Sequence, residues 1–405
     1  MRKNHIVRYT WNSPVRLLMC ISLFSSMVFY APVSLLVRTR MGITLEQFFI
    51  LQAILSATIF FFEIPSGFLS DFFGYRQTII LSFLLNFAAR ILMLLAQDFR
   101  MFAAEAVLEG MAAALNSGTI SGYVYSISGR DSYDIDMAEI NRCSDLGFLV
   151  STLGFSVIYQ LLGMRGLLFG TAAAAFAAFL VSCGLQKCPV QREKKTERRI
   201  SGRWKNAGKQ PGGPPGLADL VCVLGISLAS LAFLLINFFY VTILGELGMD
   251  ETYMTAVILL YTAVQILIPW IIRKRKRLQK GRSWKHLNDI LSSLAAVLVF
   301  AVGIAWTENF FVLLPMLLLP AALQLLQIDV ETYQNLCIDR KGLSKNRVTV
   351  LSGYSMVSNA LEIGFLFGSS QIGTLGIRPL FWGLGILVLF AMGIVVLLRR
   401  KEIRR

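Results

Sequence analysis

The stretch Thr78-Ile79-Ile80-Leu81-Ser82-Phe83-Leu84-Leu85-Asn86-Phe87-Ala88-Ala89-Arg90-Ile91-Leu92-Met93-Leu94-Leu95 decides the fold. Arg90 is its only charge. At about 1.5 Å per residue it is long enough to cross most of a roughly 30 Å hydrocarbon core. It also lacks the alternation over roughly ten residues that a membrane-barrel strand would show. It therefore reads as a helix in lipid.

Comparable segments fall at about 15–37, 47–69, 78–97, 102–127, 143–162, 167–186, 217–241, 253–272, 287–305, 310–334, 347–370 and 379–399. The expected fold class is all-α integral membrane, with twelve transmembrane helices. The composition agrees: of 405 residues, 55% are hydrophobic and 16% charged, with a mean hydropathy of +0.62. Twelve spans use roughly 240 residues and leave no room for a sizeable soluble domain.

A net charge of +15 would suit nucleic acid if the basic residues shared a folded polar face. Here they lie between apolar runs, so the expected partners are the lipid bilayer and a small-molecule substrate, not nucleic acid, and the chain is expected to be monomeric. Two histidines and six cysteines, scattered through spans and their ends, suggest neither a disulfide framework nor a zinc site. No cofactor or metal is expected. Arg2, Lys3 and Arg8 precede an apolar run that continues to Val37 without a small-x-small cleavage site, so this run reads as a retained first helix and not a signal peptide.

Lysine and arginine concentrate in cytoplasmic loops. With the N-terminus inside, about 33 of the basic residues are cytoplasmic, leaving Arg38, Arg40, Arg100, Arg165 and Arg378 outside and Arg90 in the third span. Both termini are thus expected in the cytoplasm of a plasma-membrane protein. The longest polar connection, 187–216, joins Lys194, Lys195, Arg198 and Arg199 to Pro211-Gly212-Gly213-Pro214-Pro215-Gly216, a composition too poor in apolar residues to fold. It reads as a cytoplasmic linker between an N-terminal six-helix bundle, 1–186, and a C-terminal one, 217–405.

The halves echo each other. Met41-Gly42-Ile43-Thr44-Leu45-Glu46 matches Leu247-Gly248-Met249-Asp250-Glu251, Pro65 matches Pro269, and Asn141-Arg142 matches Asn346-Arg347. A constant offset of roughly 205 residues is what a parallel pseudo-repeat produces.

Between the second and third spans runs Glu63-Ile64-Pro65-Ser66-Gly67-Phe68-Leu69-Ser70-Asp71-Phe72-Phe73-Gly74-Tyr75-Arg76. This resembles the loop signature of the major facilitator superfamily, most closely its drug-efflux-like branch. Leu108-Glu109-Gly110, Asn116-Ser117-Gly118 and Tyr123-Val124-Tyr125-Ser126 in the fourth span add to the likeness. Phe72 and Tyr75 replace basic residues of the signature, and Ala106 replaces an arginine of the fourth span. The Gly-Pro pair of many antiporters is missing between Gly147 and Gly154. The resemblance implies that Gly67, Asp71, Gly74 and Arg76 latch the two halves in the outward-facing state, with Asp145 as a partner of Arg76. It also implies a substrate cavity near the midplane, lined by the first, fourth, seventh and tenth helices. The candidate lining is Phe24, Tyr30, Asn116, Asn237, Tyr240, Gln324 and Gln327, an aromatic surface with a few amides that suits a lipophilic or amphipathic ligand.

Charges at bilayer depth are kept where they pair or face a cavity, so Arg90, Glu105, Glu109 and Glu362 stand out. Arg90 and Glu109 have matching depths on sequential antiparallel helices, and Glu105 lies one turn from Glu109 on the same face. Two carboxylates beside one arginine can share a proton, which makes the proton the expected coupling ion. The competing reading is a structural ion pair with Glu105 wetted near the surface. Glu63 is expected to brace the motif loop, and Asp329 and Glu331 to be solvated or paired with Arg340 and Lys341.

Proton-linked efflux of a small hydrophobic or amphipathic compound is the leading functional reading. Uptake of a metabolite or peptide by the same fold is the alternative, and a non-transporting receptor is the alternative of another class. No phosphate loop of the Gly-x-x-x-x-Gly-Lys-Ser/Thr type occurs, and no nucleophile-base-orienter set supports an enzyme.

Overall fold

A computed structural model describes residues 13–31, 37–38, 40–129, 132–187, 216–249, 253–278, 285–372 and 378–403. Within those ranges the side chains of Asn237 and Glu362 are not among the described ones, so these two expectations lie outside the description, as does linker segment 188–215.

Regular structure among the described residues is helical throughout. In chain order the α-helices are α1 (Pro14–Ser25), α2 (Leu45–Phe73), α3 (Tyr75–Leu95), α4 (Phe99–Asn116), α5 (Thr119–Ser128), α6 (Tyr133–Cys183), α7 (Leu217–Glu246), α8 (Tyr253–Gln265), α9 (Ile268–Leu278), α10 (Lys285–Trp306), α11 (Leu313–Arg340), α12 (Arg347–Ile372) and α13 (Arg378–Ile403). Seven stretches among the described residues are each long and apolar enough to cross a membrane. Phe61, Leu161 and Phe390 project outward, each more than 60% exposed. Such apolar side chains are stable where the surrounding medium is lipid.

The expected spans map onto these helices with four local differences, three of them with a backbone cause. The first span stops at Ser25 instead of reaching 37. The fourth divides into α4 and α5 at Ser117 and Gly118, where Gly118 takes φ 67, a left-handed conformation that favours glycine. The fifth and sixth form one element, α6, interrupted at Gly163 (φ 64, ψ −161); the fifth span begins at Tyr133, well before 143. The eighth breaks into α8 and α9 just ahead of Pro269, which has no N–H to give to a preceding turn.

The apolar core is divided into clusters, of which a small one joins Ala138 of the first half to Ile268, Ile272 and Ile328 of the second. Another gathers Leu228, Tyr240, Leu294, Leu323 and Phe381 from the second half. The first half holds a cluster around Leu18, Ile79 and Tyr123 and another around Leu51, Met93 and Phe102. Contacts between halves are concentrated in α2 against α12 and in α6 against α8 and α9. In span numbering these are two with eleven and five with eight, which exchange under a six-helix repeat, as a parallel pseudo-duplication requires.

Candidate substrate cavity and charge network

A cavity between the halves has two adjoining compartments, with Ser144 and Phe233 in the wall of both. The outer compartment lies beside the start of α2, at Gln52 and Leu55, and measures about 580 Å³. The inner one lies further along α2, at Ile59 and Glu63, and measures about 440 Å³. Both volumes suit a drug-sized ligand.

Four charges form a chain beside the outer compartment. Arg38 Nη2 lies 3.3 Å from Glu105 Oε2, Arg90 Nη1 3.8 Å from Glu105 Oε1, and Arg90 Nη2 2.6 Å from Glu109 Oε1. Arg90 also donates to Tyr30 Oη at 2.6 Å. The antiparallel α3 and α4 bring Arg90 and Glu109 to one depth, while the one-turn spacing on α4 lets Arg90 reach both glutamates. One expectation is corrected here: Glu105 is not wetted near a surface, being 1% exposed. Arg38 is buried as well, at 7% exposed, and Tyr30 and Val37 pack into the cluster of Met93 and Phe102.

The inner compartment is polar. Ser117 donates to Glu63 Oε1 at 2.5 Å, and Ser82 donates to Asn116 Oδ1 at 2.6 Å. From the second half, Gln327 donates to Glu331 Oε1 and Tyr133 of the first half donates to Glu331 Oε2, each at 3.1 Å. Asn116 and Gln327 line this compartment, and Tyr30 the outer one. Gln324 donates to Asp145 Oδ2 at 3.1 Å, joining α11 to α6 across the halves. Phe24 and Tyr240 line neither compartment. Phe24 packs in the first-half core, and Tyr240 is fully buried with its hydroxyl donated to Met316 O at 2.9 Å.

Further corrections concern acids. Glu63 faces the cavity and does not brace the motif loop. Asp329 is buried against Arg275, which donates to its Oδ2 at 2.9 Å, and Ser293, at 2.5 Å. Glu331 lines the inner compartment, because α11 continues to Arg340 and keeps both acids within the bundle. Lys341 instead meets Asp219, 2.5 Å away. Glu63, Ser117 and Glu331 are thus cavity residues that the sequence reading missed, with Tyr133 behind them in the first-half core. One signal was available: Gln324, Gln327 and Glu331 follow helical spacing and make a polar stripe on an apolar helix.

At the closed end of the cavity, Asp71 caps the start of α12. Its carboxylate accepts from Val348 N at 3.4 Å, Thr349 N at 3.0 Å and Thr349 Oγ1 at 2.8 Å, an anion placed at the positive end of a helix. Gly67 permits this approach, since a Cβ there would stand 2.9 Å from Thr349 Cα. Gly74 turns the chain from α2 to α3 at φ 102. Arg76 does not pair with Asp145. It donates to Leu185 O at 2.5 Å and Cys183 O at 3.0 Å, the carbonyls at the end of α6, while Asp145 lies deeper, in the outer compartment. On the other face of the interface, Glu139 pairs with Arg273 and Asp134 with Lys276. Arg347 joins both sides, contacting Asn335 Oδ1 at 2.8 Å, Asp339, and the ring of Tyr125 at 4.2 Å.

Comparison with known proteins bears on this arrangement. A family profile described as Major Facilitator Superfamily matches residues 17–336. No curated protein matches the sequence significantly. Among solved structures, the human organic anion transporter MFSD10 (TETRAN) is similar in fold, with a TM-score of 0.68 at 14% identity. The match covers 96% of this chain and 100% of that one.

Proposed function

The chain belongs to the major facilitator superfamily, and on that premise we propose that this multi-pass secondary transporter is proton-coupled and exports a small amphipathic compound by alternating access. The observation that carries the reading is the chain Arg38, Glu105, Arg90 and Glu109 in the flank of the outer compartment. Two carboxylates share Arg90, so a proton bound by one of them changes the pairing of the other. Because Tyr30 and Arg90 both line the compartment, that change reaches the substrate path. Coupling needs such a group accessible from the cavity and linked to a two-state scaffold. The interface contacts of Asp71 with α12 and of Glu139 with Arg273 supply the switching element.

The cavity wall supports an amphipathic cargo, since Ile59, Ile226 and Phe233 stand among serines and amides. MFSD10, similar in fold, is an organic anion transporter. The inner compartment here favours the opposite charge, because its wall contains Glu63 and Glu331 and no basic side chain among the described residues.

The test is flux in proteoliposomes of a compound first identified by a susceptibility screen in cells expressing or lacking the protein. Proton counterflow is expected on transport, and Glu109→Gln should abolish it while leaving substrate binding. Flux indifferent to collapse of the pH gradient would remove the coupling, and inward-only accumulation would reverse the direction.

A further inference from the structure

Carboxylates within the bundle fall into two groups. Glu105, Glu109, Asp134, Glu139, Asp219 and Asp329 each have a basic side chain at ion-pair distance. Glu63, Asp145 and Glu331 are instead held by neutral groups: the Ser117 hydroxyl, the Gln324 amide, and the Tyr133 hydroxyl with the Gln327 amide. All three of these line the cavity between the halves. Among the described cavity acids these three are thus held by neutral groups, whereas Glu109 is held by Arg90. Glu63 is the sharpest case. It is 1% exposed, it lines the inner compartment, and its Oε2 has no hydrogen-bond partner among the described residues.

A carboxylate at membrane depth is costly until a counter-charge arrives. We propose that the inner compartment binds the ammonium group of a small primary or secondary amine, held between Glu63 of α2 and Glu331 of α11. This deepens the transport reading above, on which it rests, by naming the charge class of the cargo.

The geometry selects the kind of cation. Quaternary ammonium groups are recognised by aromatic cages, and Phe233 is the only aromatic residue in the described wall. Hydroxyl and amide oxygens dominate instead, from Asn116, Asn141 and Ser355 among others, and these accept from N–H donors. Charge-assisted N–H contacts to two carboxylates supply the main attraction. Glu63 belongs to the first half and Glu331 to the second, so one bound ammonium ties both halves to its own occupancy. That is the differential contact a rocking transporter needs.

The experiment uses the purified full-length chain in detergent. The probes are tyramine, its neutral counterpart 4-(2-hydroxyethyl)phenol, its anionic counterpart 4-hydroxyphenylacetate, and tetraethylammonium, each at millimolar concentration. Binding is read by equilibrium dialysis and by the rise in Tm. Tyramine is expected to bind and stabilise, and the other three are not. Glu63→Gln and Glu331→Gln should each weaken tyramine binding about tenfold or more, while Glu308→Gln, on the exposed periphery, leaves it unchanged. If Glu63→Gln does not fold, Glu331→Gln decides alone. The proposal is overturned if tyramine fails to bind, if the alcohol or the quaternary ion binds as well as the amine, or if both folded glutamine variants bind normally. Dialysis needs no gradient, so the two readings fail separately. Amine binding without proton-linked flux removes the coupling and keeps the subsite, and proton-linked flux without amine binding does the reverse.

Discussion

Arg90 Nη2 sits 2.6 Å from Glu109 Oε1 across α3 and α4, and the same guanidinium donates to Tyr30 at 2.6 Å. Residues distant in the chain are thereby held to one buried cation. Removing it strands Glu109 and a phenol in a medium that cannot solvate them and leaves Glu105 to Arg38 alone.

Arg90→Ala should accordingly cost about 3–5 kcal/mol, the loss typical of one partner removed from a buried pair. Arg90→Met with Glu109→Leu should recover part of it. Thermal unfolding in detergent of the single and double variants checks this. Strict additivity of the two single changes would show that the pair is not energetically coupled.

Asp71→Asn keeps the shape of the latch side chain but removes its charge from the first turn of α12. A loss of about 0.5–2 kcal/mol from the closed arrangement is expected, which populates the state opened at that end. A cysteine placed at Ser121, in the inner compartment wall, should then react faster with a maleimide applied to the α2–α3 face. An unchanged labelling rate would mean that the cap does not govern opening.

The pair Glu139 and Arg273 bridges α6 and α9 at the same interface. Arg273→Glu should favour the open state by like-charge repulsion, and Arg273→Glu combined with Glu139→Arg should restore closure. The labelling assay reads both, and failure of the reversed pair to rescue would assign the effect to packing.

Gly147→Ala tests the packing of α1 on α6. A Cβ at this position would lie 2.1 Å from Leu23 O, a backbone atom, so the helices must separate. Overpacking of this kind costs about 1–3 kcal/mol, visible as a lower Tm and poorer yield. Gly353→Ala is the matched control, because its Cβ meets nothing within 4 Å and alanine is the better helix former. Equal behaviour of the two variants would contradict the close approach.

The sequence was most legible where local physics decides. Long apolar runs such as Thr78–Leu95 had to become lipid-embedded helices, because a backbone in lipid must bond to itself. The Arg90–Glu109 pair followed from equal depths on consecutive helices, while the place of Asp71 between the halves came from the family resemblance of the motif around Gly67 and Gly74. The breaks at Gly118 and Gly163 and ahead of Pro269 were within reach of residue type, though their positions do not interrupt the hydropathy.

What the linear order could not give is which face of each helix looks inward and which distant side chain it meets. Tyr240 and Glu63 sit on comparably apolar helices, yet Tyr240 is sealed in the second-half core and Glu63 opens into the cavity. The difference arises from the rotation of α7 and α2 about their axes, set by packing against other helices. Likewise Arg38 meets Glu105, 67 residues away in the chain, and Arg76 meets the end of α6 instead of Asp145. Hydropathy determined that the chain lives in the membrane; assembly of the two halves alone decided which acids were left without a cation, since that depends on contacts between residues far apart in sequence.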